Sequence, residues 1–294
     1  MRIVILAGGV GGARMARGFA ALDAVKTTVV VNVGDDDAMY GLDLSPDIDT
    51  VVYMLAGIEG EFGWGRRDDT WEVMDELERF DLDTSFRLGD RDLALNLFRT
   101  MRLRAGEPLS AITASQCDAF GVSTRVLPVT DDRIRTRIEV AGGSWLDFQT
   151  YFVRRRHQDQ VETVAYDGAS TAIPAPGVLD EIHEADAIVV APSNPYLSIL
   201  PILSIPGVRQ AVEKKQVMAV SPFIGGETVK GPAADIMRSL GHDPTPAGLS
   251  GLYDGLIDHL VVDPGDAGAI DDVHVHPSDI VIGTREQAAR LAKE

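Results

Sequence analysis

The stretch that most limits what this chain can fold into is its first thirty-odd residues, RIVILAGGVGGARMARGFAALDAVKTTVVVNV. Arg2–Leu6 is a short apolar run that breaks at glycines 8, 9, 11 and 12. Ala13–Leu22 then carries Met15, Phe19 and Leu22 at helical spacing, and Thr27–Val33 is a second run of β-branched residues. Strand, glycine turn, helix and strand in that order form a β-α-β unit, whose strands lie parallel with the helix across one face. Continuous Val/Ile runs belong to strands buried on both faces. The same grammar returns late in the chain. Ala187–Val190 runs into APSNPYLSI, Val217–Val220 runs into SPFIGGETVKGPAADIM, and His259–Val262 follows. The pattern predicts an α/β fold with a Rossmann-like, doubly wound, mainly parallel sheet.

Between Met54 and Tyr166 this rhythm is lost. Trp71–Phe80 and Arg91–Arg104 have helical spacing, Arg133–Val140 alternates like a strand, and YFVRRRH is a basic patch. These residues read as a smaller, mostly helical subdomain, 54–166, inserted into a core made of 1–53 and 167–294. The last helix opens with a capping box, Thr284 to Gln287.

Composition narrows the class. The net charge of −18 argues against a nucleic-acid or anionic-membrane surface, so an anionic ligand would need local arginines, backbone amides or a divalent metal. No apolar run reaches bilayer length, and the opening strand breaks too early for a signal peptide. Cys117 is the single cysteine, which excludes a disulfide framework and fits a cytoplasmic location. It has no His/Asn partner nearby in sequence, so no thiol nucleophile is expected.

The motifs point to phosphate. GGVGGAR (Gly8–Arg14) presents amides and a helix N-terminus to an anion. Arg14 stands where a dinucleotide fingerprint wants glycine, and no Lys-Ser/Thr pair follows, so neither the NAD nor the P-loop pattern is met. Six aspartates then crowd into Val29–Val51: Asp35, Asp36, Asp37, Asp43, Asp47 and Asp49. One acid would suffice for a ribose, and the excess suits a hard divalent cation, which takes one or two carboxylates plus phosphate oxygens. Asp35 and Asp49 are the expected ligands. Asp36, Asp37 and Asp43 read as turn residues, and Asp47 as a helix cap.

WGRRDDTW (Trp64–Trp71) and RLGDRDLA (Arg87–Ala94) set arginine beside aspartate, and such forks suit phosphate or a heterocycle edge. APSNP, with Ser193 and Asn194, and SPFIGG, with Ser221 and Gly225 and Lys230 beyond, are rigid turns after buried strands and together indicate a nucleotide site. His274 and His276, flanked by Asp271 and Asp272, read as an exposed edge strand rather than a metal site.

Taken in order, AGGVGGAR, VNVGDDDAMYGLDLSPDIDTVVYML, WGRRDDTW, LGDRDLA, LPVTDD, APSNPYLSILPILSIPGVR and SPFIGGETVKGPA resemble the 2-phospho-L-lactate transferase family over nearly the whole chain. The resemblance implies a transferase of coenzyme F420 biosynthesis. A guanosine diphosphate ester of phospholactate, or of phosphoenolpyruvate in bacterial members, would pass its phosphoester unit to the ribityl hydroxyl of the deazaflavin Fo. GMP would leave, Mg²⁺ is the expected metal, and the fold is often a homodimer. By motif match, Asp35 and Asp49 correspond to the catalytic, metal and deazaflavin acids, and Arg91 to an Fo-contacting arginine. Trp64 and Arg67 fall on the Fo side, while Gly8, Gly9, Gly11, Gly12, Ser193, Asn194, Ser221 and Gly225 fall in the guanosine diphosphate region. Two other readings remain: a sugar-nucleotide-binding regulator of carbon metabolism on the same fold, and, weakened by Arg14, an NAD oxidoreductase.

Overall fold

The computed structural model describes residues 1–229, 231–271 and 273–294, so the predicted roles of Lys230 and Asp272 lie outside the described residues. Its centre is a seven-stranded sheet. In chain order the strands are β1 (Arg2–Ala7), β2 (Lys26–Val31), a small hairpin of β3 (Asp37–Met39) and β4 (Leu42–Leu44), then β5 (Arg125–Pro128), β6 (Arg135–Val140), β7 (Ser144–Asp147) and β8 (Val161–Asp167). After these come β9 (Ala187–Val190), β10 (Gln216–Val220), the two-residue strands β11 (Phe223–Ile224) and β12 (Glu227–Thr228), β13 (His259–Val262) and β14 (His274–Pro277). The large sheet runs β14-β13-β10-β9-β1-β2-β5, and every pairing in it is parallel.

The strand order reverses at β1. The chain leaves β1 toward β2 on one side and returns to β9 on the other. At such a switch point the loops after the strands splay apart and leave a crevice, which is where doubly wound sheets bind ligands. The glycine turn after β1, the acid loop after β2 and the serine-asparagine turn after β9 therefore converge on one crest. The core beneath is Val and Ile: Ile5, Leu6, Val29, Val30, Val31 and Ile188 have no exposed surface. Each contributes about 1.5–3 kcal/mol by leaving water.

The helices are α1 (Gly9–Ala20), α2 (Pro46–Ala56), α3 (Glu72–Glu78), α4 (Asp90–Arg104), α5 (Leu109–Phe120), α6 (Val178–Glu184), α7 (Leu200–Leu203), α8 (Val208–Val212), α9 (Ala233–Ser239), α10 (Pro246–Tyr253) and α11 (Arg285–Leu291). The capping box of α11 is present in both directions. The edge strand expected around His274 and His276 is β14, and there the Nδ1 of His259 lies 2.9 Å from the Nε2 of His276.

One boundary is corrected. Residues 54–166 do not form a single insertion, because Arg125–Pro128 returns to the large sheet as edge strand β5, parallel to β2. Val126 and Leu127 are buried there, but so short an apolar run carries no period of its own in sequence. The chain makes two excursions instead: a helical one that includes α3 and α4, and a three-stranded antiparallel sheet of order β7-β6-β8.

The glycines at the crest are there for close approach. A Cβ on Gly11 would lie well inside van der Waals contact of the Pro192 carbonyl oxygen, and one on Gly12 would meet Ala7 and Ser193. Backbone cannot swing aside as a flexible side chain can. Gly11→Ala is expected to destabilise the fold by about 2 kcal/mol or more in urea or thermal unfolding. Unchanged stability would mean that the turns after β1 and β9 are not packed together.

Candidate active site

The crest is assembled around buried carboxylates. Asp47 lies in the first turn of α2, yet it does not cap that helix. Its Oδ1 accepts from the Gly9 amide at 2.7 Å, and its Oδ2 accepts from the Asn32 side chain at 2.9 Å. A Cβ on Gly8 would lie 2.6 Å from Asp47 Oδ2, so the glycine turn wraps directly onto this acid. Asn32, just beyond β2, also donates to the Leu197 carbonyl and accepts from the Gly34 amide. It joins the acid loop to the turn after β9.

Asp35 and Asp36 sit in this loop, Asp35 buried and Asp36 half-buried. Burial and then the neighbouring Asp47 and Asp36 charges push the Asp35 carboxyl well above its ordinary range. Burial raises Asp36 to about 8, against the pull of a 2.7 Å bond from the Ser45 hydroxyl and the charges of Arg99 and Arg135. Burial likewise raises Asp47 to about 6. The Oδ1 atoms of Asp35 and Asp36 are buried and have no hydrogen-bond partner.

Asp49 is placed differently. Two positions on in a helix is a rotation of about 200°, so Asp49 points away from the glycine turn. Its Oδ1 receives the Arg99 guanidinium and, at 2.9 Å, the Gln116 amide. Arg99 is 1% exposed and also holds Asn96 and the Asp43 carbonyl, which ties the helical excursion to α2. One turn along α2, the Tyr53 hydroxyl donates to Asp92 at 2.7 Å, and burial raises the Asp92 carboxyl to about 6. Arg66 lies over the Tyr53 and Phe120 rings, 5.5 and 4.9 Å from their centroids.

The arginine blocks meet beside this cluster. The exposed Arg91 donates from its backbone to Asp69 and from its guanidinium to the Arg67 carbonyl, and Arg67 reaches back to the Gly57 carbonyl. Trp64 is half exposed and stacks on Phe62 at 5.8 Å. Across the crest, Ser193 bonds the Gly8 carbonyl at 2.7 Å, and Asn194 caps the following turn through its Oδ1. Its Nδ2 is buried without a partner. Ser221 is buried and its Oγ accepts from the Phe223 amide, while the exposed Gly225 donates its amide to Asp266. Cys117 is buried and its thiol is pushed up to about 12, so it is no nucleophile at neutral pH.

The structure thus divides the predicted residues into groups. Gly8, Gly9, Gly11, Gly12, Asp35, Ser193 and Asn194 share the crest, while Trp64, Arg67 and Arg91 share the helical excursion, joined to the crest through α2. The assignment of Asp47 as a cap is corrected, since its carboxylate is buried against the Gly9 amide and Asn32. Asp36 does sit in a turn, its amide on the Val33 carbonyl, with its carboxyl half-buried beside the cluster. Arg99, Gln116 and Asn32 were not anticipated. Asn32 had a signal, standing between a buried strand and the acids, whereas Arg99 lies in LFRTM and reads like any helical arginine. Among the described residues no three His, Cys, Asp or Glu side chains form a ready cation cage.

Fold and crest together define a Rossmann-like α/β protein with a cluster of acids packed at its switch point. The chain belongs to the family described as 2-phospho-L-lactate transferase CofD, whose model matches residues 3–281, and it is a transferase of that family. It is similar to a phosphoenolpyruvate transferase of Thermobifida fusca, 42% identical over 99% of this chain and 96% of the relative. One of Streptomyces griseus is 44% identical over 93% and 89%. A 2-phospho-L-lactate transferase of Methanopyrus kandleri is 39% identical over 100% and 96%. A crystal structure of a UPF0052 family member from Bacillus halodurans superposes with a TM-score of 0.65 over 99% of this chain and 98% of that one. At 17% identity that likeness speaks for the fold alone. Full-length relatives named as transferases favour the enzyme over the regulator. No helix among the described residues is long and apolar enough to cross a membrane.

The raised carboxyls have a consequence for stability. Each binds its proton more tightly in the folded than in the unfolded chain. Their contribution is therefore complete below the ordinary aspartate value near about 4, and it is lost as pH rises through about 6 for Asp47 and about 8 for Asp36. Without divalent cations, unfolding free energy is expected to fall between pH 5 and 8, and Asp36→Asn to remove about 1 kcal/mol or more of that fall. A slope unaltered by the substitution would show that Asp36 is already charged across the range.

Proposed function

We propose that this protein transfers a phosphoenolpyruvate or phospholactate unit from its guanosine diphosphate ester to the ribityl hydroxyl of the deazaflavin Fo, releasing GMP in coenzyme F420 biosynthesis. One observation carries the reading: in a CofD family chain, the buried, unpartnered Asp35 and Asp36 oxygens lie beside the glycine turn at the sheet's switch point. Bacterial relatives named phosphoenolpyruvate transferase, at 42% and 44% identity, support the phosphoenolpyruvate form first.

The residues fit Mg²⁺. Orphaned, mutually repelling carboxylates are stabilised by a hard cation, and Asp35 with Asp36 or the free oxygen of Asp49 would hold it along with ligand phosphates. A bound Mg²⁺ would neutralise pyrophosphate charge so that an alcohol can approach.

The chain's own groups do the positioning that such transfers chiefly require. The glycine turn lets phosphate come close to backbone at the start of α1, where the helix end favours anions. Asn194 offers its unpartnered Nδ2 to the donor, and Ser193 keeps the two turns together. Arg91, Arg67 and Trp64 receive the deazaflavin on the helical side. Asp49, fixed by Arg99 and Gln116, stands on α2 between the two regions. A homodimer belongs to the same reading, because α4 leaves Leu97, Phe98 and Met101 exposed on one face.

The decisive test is incubation with Fo, Mg²⁺ and each guanylated donor, following GMP and deazaflavin product; no turnover with either donor would reject the assignment. Arg91→Lys is expected to weaken Fo binding about tenfold in fluorescence titration, since lysine lacks a planar two-pronged donor. Unchanged Fo affinity with damaged donor affinity would move Arg91 to the phosphate side. Met101→Lys is expected to convert a dimer into monomers in sedimentation velocity, and an unaltered dimer would place the interface elsewhere.

A further inference from the structure

We infer that Arg135, with Arg137 two residues along β6, forms the subsite that receives the carboxylate of the donor's three-carbon unit. The inference rests on the transfer reading above and deepens it.

β6 is tied to the acid loop. The Thr136 amide donates to the Gly34 carbonyl at 2.8 Å, and a Cβ on Gly34 would lie 2.5 Å from the Thr136 hydroxyl. Strand and loop are therefore in close contact next to Asp35. Along β6, Thr136, Ile138 and Val140 are buried, while Arg135, Arg137 and Glu139 line the opposite, half-buried face. Arg135 donates Nη1 to the Ile134 carbonyl at 2.9 Å, and among the described residues it has no ion pair. The Nε of Arg137 is buried without a partner. Asp36, Asp37 and Asp43 are near enough for their charges to act on Arg135, and burial together with Arg133 disfavours its charge.

A half-buried guanidinium with its fork unspent is costly unless something planar and anionic completes it. Both candidate donors supply that group. Each carries a carboxylate on the carbon bearing the phosphoester, and GDP carries none. The carboxylate must approach a crest crowded with aspartates in a protein of net charge −18, so it requires a cation at the point of entry. Arg99 is bound to Asp49, and Arg67 and Arg91 lie on the helical side. Arg135, next to Thr136, is the arginine whose charge reaches Asp36 of the acid loop from the other face of β6.

The competing role for Arg135 is to neutralise the aspartates, which lysine would do as well. Calorimetry without Fo, in saturating Mg²⁺, separates the two by comparing guanylated 2-phospholactate with GDP. The wild-type protein is expected to prefer the carboxylate-bearing ligand. Arg135→Lys is expected to weaken that ligand by about tenfold or more while leaving GDP within about twofold. Arg137→Lys, which leaves the residue beside the loop intact, is expected to act in the same direction and covers the case in which Arg135→Lys does not fold. Equal wild-type affinity for the two ligands, or a preference untouched by both substitutions, would overturn the subsite and leave the transfer reading standing. Equal loss of both ligands would assign Arg135 to holding the loop. A wild-type protein that binds neither ligand would overturn the transfer reading, and the subsite with it.

Discussion

The constraint on which the rest of this structure depends is the burial of like charges. Asp35, Asp36 and Asp47 are held within mutual influence just beyond β2, Asp35 and Asp47 buried and Asp36 half-buried. Isolated buried carboxylates are expensive and normally neutralise or find partners. Here the surroundings supply partial relief. The Gly9 amide and Asn32 serve Asp47, the Ser45 hydroxyl serves Asp36, and Arg99 and Arg135 lend their fields. Two oxygens are left unserved, at the point where three loops converge. A fold that keeps such a cluster gives up stability to hold it.

Helix α2 converts this local constraint into a junction. Asp47 faces the glycine turn, Asp49 faces Arg99 and Gln116, and Tyr53 faces Asp92. Three residues of one short helix thus bind the crest to the helical excursion. The Asp43 amide held by Thr100 and the Asp43 carbonyl held by Arg99 add two more ties. Truncating Arg99 would leave the buried side of Asp49 uncompensated, and breaking such a pair costs about 3–5 kcal/mol. The two regions are thereby kept in fixed register, which is what the proposed transfer between a nucleotide ester and an alcohol would need.

Much of this was legible in residue order. β1, the glycine turn, α1 and β2 follow from apolar runs broken by glycine, and the late β9, β10 and β13 from the same rule. The crest residues after β1, β2 and β9 could be named because loops at the carboxyl ends of parallel strands share an edge. The acid surplus was visible as a count, but its membership was not. Asp47 looks like a helix cap in sequence because its burial depends on Gly8 and Asn32 closing around it. β5 escaped because four residues carry too little periodicity.

What the sequence by itself determined is the layered fold, the glycine turn, and a surplus of acids after β2 in an acidic chain. Those features are local: apolar period, turn residues and charge. Only the tertiary structure decided which acids are buried together, that Asp49 faces an arginine fifty residues on, and that β6 lies against the acid loop. These depend on contacts between segments far apart in sequence, and the desolvation that gives a carboxylate its cost exists only once those segments have closed over it.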